Sequence, residues 1–244
     1  MLTLIFKEIK YFFITSIGYI VLGVFWTFNT FLFIIIENDY NFFQNNFISF
    51  NQFFKITPWM LIFLIPVVVM RSFNEEIQSG TIDLIISKPI SLINILWSKF
   101  FGCLFLFTIC ILPSIIYIIY VFQFSLPDTA IDYHVIIGSY IGLLFLGSNF
   151  ISICLPISIL FKNQISVFIS GSFFCYLHFF LFNELASLSN SDFLYKLILN
   201  IGSQQHYNQF ISGVLYIKDI GYFIGFDIIM MGISLFLINK SRSQ

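Results

Sequence analysis

The 244-residue chain is 59% hydrophobic and 9% charged, with a mean hydropathy of +0.94. Soluble domains carry about 25% charged residues, so a chain this apolar cannot present a polar surface to water and is expected to lie in the lipid bilayer. The formal net charge of −1 gives no basis for nucleic-acid binding, which needs clustered Lys and Arg.

The first 13 residues predict an amphipathic helix that lies in the membrane plane. At 100° per residue, Thr3, Lys7 and Lys10 share one face. Apolar side chains share the opposite face: Leu2, Ile5, Ile9, Phe12 and Phe13. Such a helix turns its lysines toward anionic headgroups. The alternative is a plain basic flank to the first span, whereas a signal peptide is not expected because the following apolar run is too long.

Six apolar segments are long enough to cross a bilayer as helices, since about 20 residues at 1.5 Å each span the hydrocarbon core. They lie at about 14–36, 58–74, 95–121, 135–161, 165–182 and 220–238. The second segment is short and is expected either to borrow length from 53–57 or to continue past Arg71. The sequence therefore predicts an all-α polytopic membrane protein with one transmembrane domain over 1–244.

Small residues and prolines predict details of the packing. Gly138, Gly142 and Gly147 give the fourth span a face for close helix contact, and Pro113 is expected to kink the third span. Between the fifth and sixth spans, 193–201 and 207–216 each fit a short helix. The four cysteines lie in apolar runs and are expected to be small buried side chains: Cys103, Cys110, Cys154 and Cys175.

The distribution of basic residues predicts the orientation, because cytoplasmic loops carry the excess of Lys and Arg. With both termini in the cytoplasm, only Lys55, Lys196 and Lys218 lie outside. The other eight basic residues are then cytoplasmic: Lys7, Lys10, Arg71, Lys88, Lys99, Lys162, Lys240 and Arg242.

A polar loop between the second and third spans concentrates the charge of the chain. Gly80 is expected to break the helix, Thr81 to cap a new one with Asp83 in its first turn, and Pro89 to end it. A helix over 81–88 would be only about 12 Å long, so it cannot span and should lie along the cytoplasmic surface. Ser91 is expected to cap the third span.

Patterns typical of catalysis or metal binding are missing from the sequence. It contains no Gly-x4-Gly-Lys-Ser/Thr nucleotide loop and no Gly-x-Ser-x-Gly, and its three histidines are far apart in the chain. We therefore expect neither an enzyme nor a bound cofactor or metal. Asp227, inside the sixth span, is a possible pathway residue. Asn29, Asn149 and His178 are expected to form interhelical hydrogen bonds.

Two motifs resemble those of ABC-2 type permeases. The first is Arg71-Ser72-Phe73-x-Glu75-Glu76-x3-Gly80-Thr81-Ile82-Asp83-Leu84-x2-Ser87-Lys88-Pro89-Ile90-Ser91. The second is His206-Tyr207-x4-Ser212-Gly213-Val214-x4-Asp219-x2-Tyr222-Phe223. Their spacing is closest to the gliding-motility permeases of the GldF type, with copper-processing NosY-like permeases as relatives. Leu215-Tyr216 departs from the family's usual Ile-Asp after the valine.

The resemblance implies a six-span permease subunit of an ABC transporter in a bacterial inner membrane, with an external helical hairpin before the last span. Its partners would be a cytoplasmic ATPase that binds the ATP, a second permease subunit of the same or a different kind, and membrane lipid. The 81–88 helix would be the coupling helix. The implied docking residues are Arg71, Glu75, Glu76, Gly80, Thr81, Asp83, Lys88 and Pro89. The alternatives are a structural or motility-linked anchor that moves no substrate, a copper-processing NosY-like permease, and an ion-coupled transporter, for which no internal repeat is seen.

Overall fold

The computed structural model describes residues 2–36, 51–74, 76, 80, 91–124, 132–189 and 191–242. Throughout these ranges the regular structure is helical, and they contain no strand. Within the described part of the chain, six helices are long and apolar enough to cross a membrane, here named the first to sixth spans: Gly18–Ile35, Asn51–Val69, Leu92–Ile119, Tyr133–Leu160, Gln164–Ser187 and Ile217–Lys240. The prediction of an all-α polytopic membrane protein is confirmed.

The N-terminal helix Leu2–Ile14 is separated from the first span by a corner at Thr15. Thr15 has an extended backbone (φ −89°, ψ 142°), and the next helix, Ser16–Thr30, starts immediately after it. Gly18 permits the tight corner, because a Cβ at this position would lie 2.4 Å from the carbonyl oxygen of Phe12. The N-terminal helix is therefore a separate element, as predicted, while its placement in the membrane plane stays a prediction.

Three spans contain irregular turns. The first span ends in the π-helical turn Phe31–Ile35. The third consists of Leu92–Ile111, the 3-10 turn Leu112–Ser114 and Ile115–Phe124. The regular α-helix is therefore interrupted at Pro113, where the sequence predicts a kink. The fifth consists of Gln164–Tyr176, the π-helical turn Leu177–Leu181 and Phe182–Ser187. The second span is a continuous helix that starts at Asn51 and takes the extra length expected from 53–57.

The fourth span is the centre of the bundle. Residues 146–158 are all buried, and the span packs against the second, third, fifth and sixth spans. Its glycines allow this approach: a Cβ on Gly142 would lie 2.5 Å from Cβ of Phe210, and one on Gly147 would lie 2.0 Å from Cε1 of Phe107. The predicted small-residue face is confirmed, and so is the burial of the four cysteines.

Two short helices, Asp192–Ile201 and Ser203–Ile211, form a hairpin before the sixth span. The first matches the predicted piece closely, whereas the second starts and ends earlier than the predicted 207–216. Gly213, with φ of +80°, turns the chain toward the sixth span, which begins at Ile217. The end of the bundle that holds this hairpin is called the hairpin face, and the opposite end, at the N-terminal helix, is called the N-terminal face.

Candidate functional site

Four charged side chains from three separate elements meet at the N-terminal face. We call them the charged cluster: Lys7 and Glu8 of the N-terminal helix, Glu76 of the loop and Lys99 of the third span. Lys99 Nζ lies 3.0 Å from Glu8 Oε1 and 2.7 Å from Glu76 Oε2. Lys7 Nζ lies 2.6 Å from Glu76 Oε1. Two ammonium groups thus balance two carboxylates.

Lys99 is the centre of this cluster. Its side chain is 3% exposed, donates to the carbonyl oxygen of Ser72 and lies 4.7 Å from the ring centroid of Phe73. A buried ammonium is tolerated only where opposite charges and hydrogen bonds replace water, and both are present here. Burial raises the pKa of Glu76, but the ammonium groups of Lys99 and Lys7 outweigh it, so the pKa of Glu76 is lowered overall. The pairs therefore persist at neutral pH.

The residues just before Glu76 attach the loop to two other parts of the bundle. Arg71 Nη1 donates to Thr15 Oγ1 at 2.7 Å, at the corner between the N-terminal helix and the first span. Asn74 Nδ2 donates to the carbonyl oxygen of Phe161 at 2.5 Å, at the end of the fourth span. The start of the loop is therefore connected to the first and fourth spans as well as to the third.

A second polar group, the mid-span network, lies inside the bundle and consists of Ser148, Asn149, His178 and Asp227. Asp227 accepts hydrogen bonds from Ser148 Oγ at 2.7 Å and from Asn149 Nδ2 at 3.0 Å. Asn149 Oδ1 lies 3.1 Å from His178 Nε2. His178 sits in the π-helical turn of the fifth span, a distortion found frequently at functional sites. The network joins the fourth, fifth and sixth spans near their middles.

At the hairpin face, residues of the second sequence motif come together in space. His206 Nδ1 lies 2.6 Å from Asp219 Oδ1, and the imidazole stacks on Tyr222 with 4.1 Å between ring centroids. His206 Nε2 donates to the carbonyl oxygen of Asn200 at 3.0 Å, and Tyr207 Oη donates to that of Phe54 at 2.7 Å. These contacts fasten the hairpin to the start of the sixth span and to the second span.

Residues 35–238 match the model of a family described as ABC-2 family transporter protein. The chain belongs to the ABC-2 transporter family. It is thus a multi-pass membrane permease of an ABC transporter. Permeases of this family normally work with a cytoplasmic ATPase. The chain matches none of the curated proteins with which it was compared.

The structure of this permease places the predicted docking residues only in part. Arg71 and Glu76 are held by the contacts described above, and Gly80 has a φ of +68°, as expected for a residue that breaks the helix. Ser91 Oγ accepts from the N–H of Asn94 at 3.4 Å, so the predicted cap of the third span is confirmed. The remaining docking residues lie outside the described residues: Glu75, Thr81, Asp83, Lys88 and Pro89.

Sequence reasoning missed the partners of the charged cluster and of Asp227. Glu8 is the single acid in a basic helix, and Lys99 lies in an apolar run. A charged residue in such a sequence context is a signal that it pairs with an opposite charge inside the fold. Interhelical hydrogen bonding is confirmed for Asn149 and His178. It is wrong for Asn29, whose Nδ2 donates to Phe25 in its own helix. Within the described ranges, no three His, Cys, Asp or Glu side chains are grouped to hold a metal ion.

Proposed function

We propose that this permease receives a separate cytoplasmic ATPase on the 77–90 loop and converts ATP-driven movement of that partner into export of a substrate. The observation that carries the proposal is the attachment of the loop's first residues. Glu76 is paired with Lys99 of the third span and Lys7 of the N-terminal helix. Movement of the loop is therefore passed directly to elements that span the bundle.

The mechanical argument depends on where the attachments lie. The loop follows the second span and precedes the third, so a partner bound to it acts on both. Arg71 and Asn74 add connections to the corner at Thr15 and to the end of the fourth span. Because the residues that precede the loop make these contacts, displacement of the loop by the partner is expected to tilt several helices together.

The proposed setting is the one that the basic residues and the sequence motifs favour. The N-terminal face is cytoplasmic, both termini lie inside, and the membrane is a bacterial inner membrane. Two permease subunits, alike or different, bind two ATPase copies, which hold the ATP, so this chain needs no cofactor of its own. Within the family we favour the gliding-motility type, because the spacing of both motifs is closest to it.

The test is copurification of the transporter's ATPase with the full-length permease. Thr81→Pro and Asp83→Lys change the proposed coupling helix without touching the charged cluster. We expect both variants to insert and remain monodisperse but to lose the ATPase. The matched control is Asp192→Lys, an exposed charge change on the hairpin, which should retain it. Unchanged association of the Thr81→Pro permease would refute the docking proposal.

The same preparation separates transport from anchoring. A transporter should hydrolyse ATP at a rate that its cargo stimulates. An anchor that moves no substrate should show a rate that added lipid, polysaccharide, peptide or copper leaves unchanged.

A further inference from the structure

A cavity of about 560 Å³ lies between the third, fourth and sixth spans. Most of its lining is apolar, with Trp97, Phe100 and Phe145 providing aromatic rings. Three polar side chains contribute to the lining: Thr108, Ser148 and Asp227. Asp227 is therefore an acid at the wall of an otherwise hydrophobic cavity.

Hydrogen-bond accounting fixes the orientation of Asn149 beside this acid. Its Nδ2 donates its two hydrogens to the carbonyl oxygen of Phe223, at 3.1 Å, and to Asp227 Oδ1, at 3.0 Å. Asn149 Oδ1 is consequently an acceptor, and His178 Nε2 is its donor at 3.1 Å. Every hydrogen-bonding atom of the Asn149 amide group is then used.

Ser148 gives Asp227 only a shared hydrogen bond. Its single hydroxyl hydrogen faces two acceptors, the carbonyl oxygen of Phe145 at 2.8 Å and Asp227 Oδ2 at 2.7 Å. One hydrogen cannot fully serve both, so this contact compensates a charge on Asp227 only in part. A carboxyl group at an apolar wall without a paired cation favours its neutral form.

No positive side chain among the described residues is paired with Asp227, since the ion pairs of this part of the chain are those of the charged cluster and of His206. On the fourth span Asp227 faces Ser148, Asn149 and Ser152, and from the fifth span His178 reaches it through Asn149. The third span lines the cavity with Trp97, Phe100, Leu104 and Thr108, none of which titrates. Among the described residues, therefore, no side-chain cation is paired with an ionised Asp227, and a bound cation would supply that charge.

We propose that this cavity binds a hydrophobic organic cation, an ammonium or phosphonium, whose charge lies against Asp227 and whose apolar groups pack against Trp97, Phe100 and Phe145. Binding exchanges the proton on Asp227 for the bound cation. The proton on Asp227 leaves to solvent, and the carboxylate that remains pairs with the cation. The aromatic walls add cation–π attraction, which is strongest for tryptophan. A neutral molecule of the same shape lacks both interactions.

This is a binding site in the permease itself, and it does not require the ATPase. Only the further step, that such cations are what the transporter exports, rests on the proposed function. The two proposals therefore fail separately: loss of cation binding leaves the copurification result untouched, and loss of copurification leaves cation binding untouched.

The experiment is equilibrium dialysis of radiolabelled tetraphenylphosphonium against the full-length permease in neutral detergent, without ATPase. We expect saturable binding of one cation per chain, tighter as pH rises because Asp227 must lose its proton. Asp227→Asn should weaken binding about tenfold or more. The exposed Asp192→Asn should bind as the wild type does.

A second variant keeps the test valid if Asp227→Asn fails to fold. Leu104→Trp fills the cavity but keeps the carboxylate, and it should lower binding to a similar degree. Neutral triphenylphosphine oxide should not compete. Absence of saturable binding to the wild type, binding that weakens as pH rises, or wild-type affinity in the folded Asp227→Asn permease would each overturn the proposal.

Discussion

The two ends of the helical bundle are held together by different chemistry. At the N-terminal face, ion pairs join segments that are distant in the chain, such as Glu8 and Lys99, 91 positions apart. At the hairpin face, Phe210 packs against glycines of the fourth span, with its side chain over Gly142 and its carbonyl oxygen over Gly138. Charge compensation dominates the N-terminal face, whereas the hairpin face combines close packing with one buried pair, His206 with Asp219.

This difference indicates how each end responds to a partner. Ion pairs at a polar boundary weaken with salt, protonation or a competing charge, so the N-terminal face is sensitive to what binds there. Packed rings and glycines respond to none of these and yield only when helices separate. The glycine contacts of the hairpin face are therefore suited to hold the spans together while the N-terminal face is displaced.

The largest expected effect comes from breaking the charged cluster at its centre. Lys99→Met removes the buried ammonium and leaves Glu8 and Glu76 facing each other without their shared counter-charge. Removing one partner of a buried ion pair costs about 3–5 kcal/mol. We expect a marked fall in the thermal unfolding midpoint of the permease in detergent.

The control combines Lys99→Met with Glu8→Gln and Glu76→Gln. With all three charges removed, most of the lost stability should return, because a buried ion pair is often no better than a neutral replacement. A single Lys99→Met variant as stable as the wild type would show that the cluster does not hold this face.

A smaller effect is expected from the fourth span, where close packing replaces charge. In Gly147→Ala the added Cβ would lie 2.0 Å from Cε1 of Phe107, so the buried Phe107 ring or the helix that carries it must shift. Overpacking of this kind costs about 1–3 kcal/mol, which the unfolding midpoint should report independently of salt. Gly232→Ala is the matched control, since a Cβ there has no atom within 4 Å. Destabilisation of both variants alike would point to helix propensity and away from packing.

The sequence predicts features that depend on local pattern and misses those that depend on which helices are neighbours. The spans follow from apolar length, the interruption of the third span from Pro113, and its cap from Ser91, because each of these signals is local in the chain. The pairing of Glu8 with Lys99 follows only once the N-terminal helix is known to pack on the third span.

The candidate sites show the same division. Asp227 is conspicuous in the sequence as an acid within an apolar run, yet Ser148 and Asn149 are ordinary polar residues of another span. Similarly, the motif at His206 and Asp219 is visible in the sequence, whereas the direct contact between the two side chains is visible only in the fold.

The smallest expected effect is a difference in pH dependence between variants of the charged cluster and of the packed glycine Gly147. Because the pKa of Glu76 is lowered from its ordinary value of 4.5 on folding, its ionised form stabilises the native state above that pH. The stabilisation is lost as pH falls through the lower, folded-state value. The unfolding midpoint of the wild type should therefore exceed that of Glu76→Gln at neutral pH, and the gap should close below about pH 4.5.

Gly147→Ala should differ from the wild type by a constant amount over the same range, since the contact of Gly147 with Phe107 carries no charge. A gap for Glu76→Gln that stays constant down to pH 3 would mean that Glu76 contributes through packing or a neutral hydrogen bond rather than through its pairs with Lys7 and Lys99.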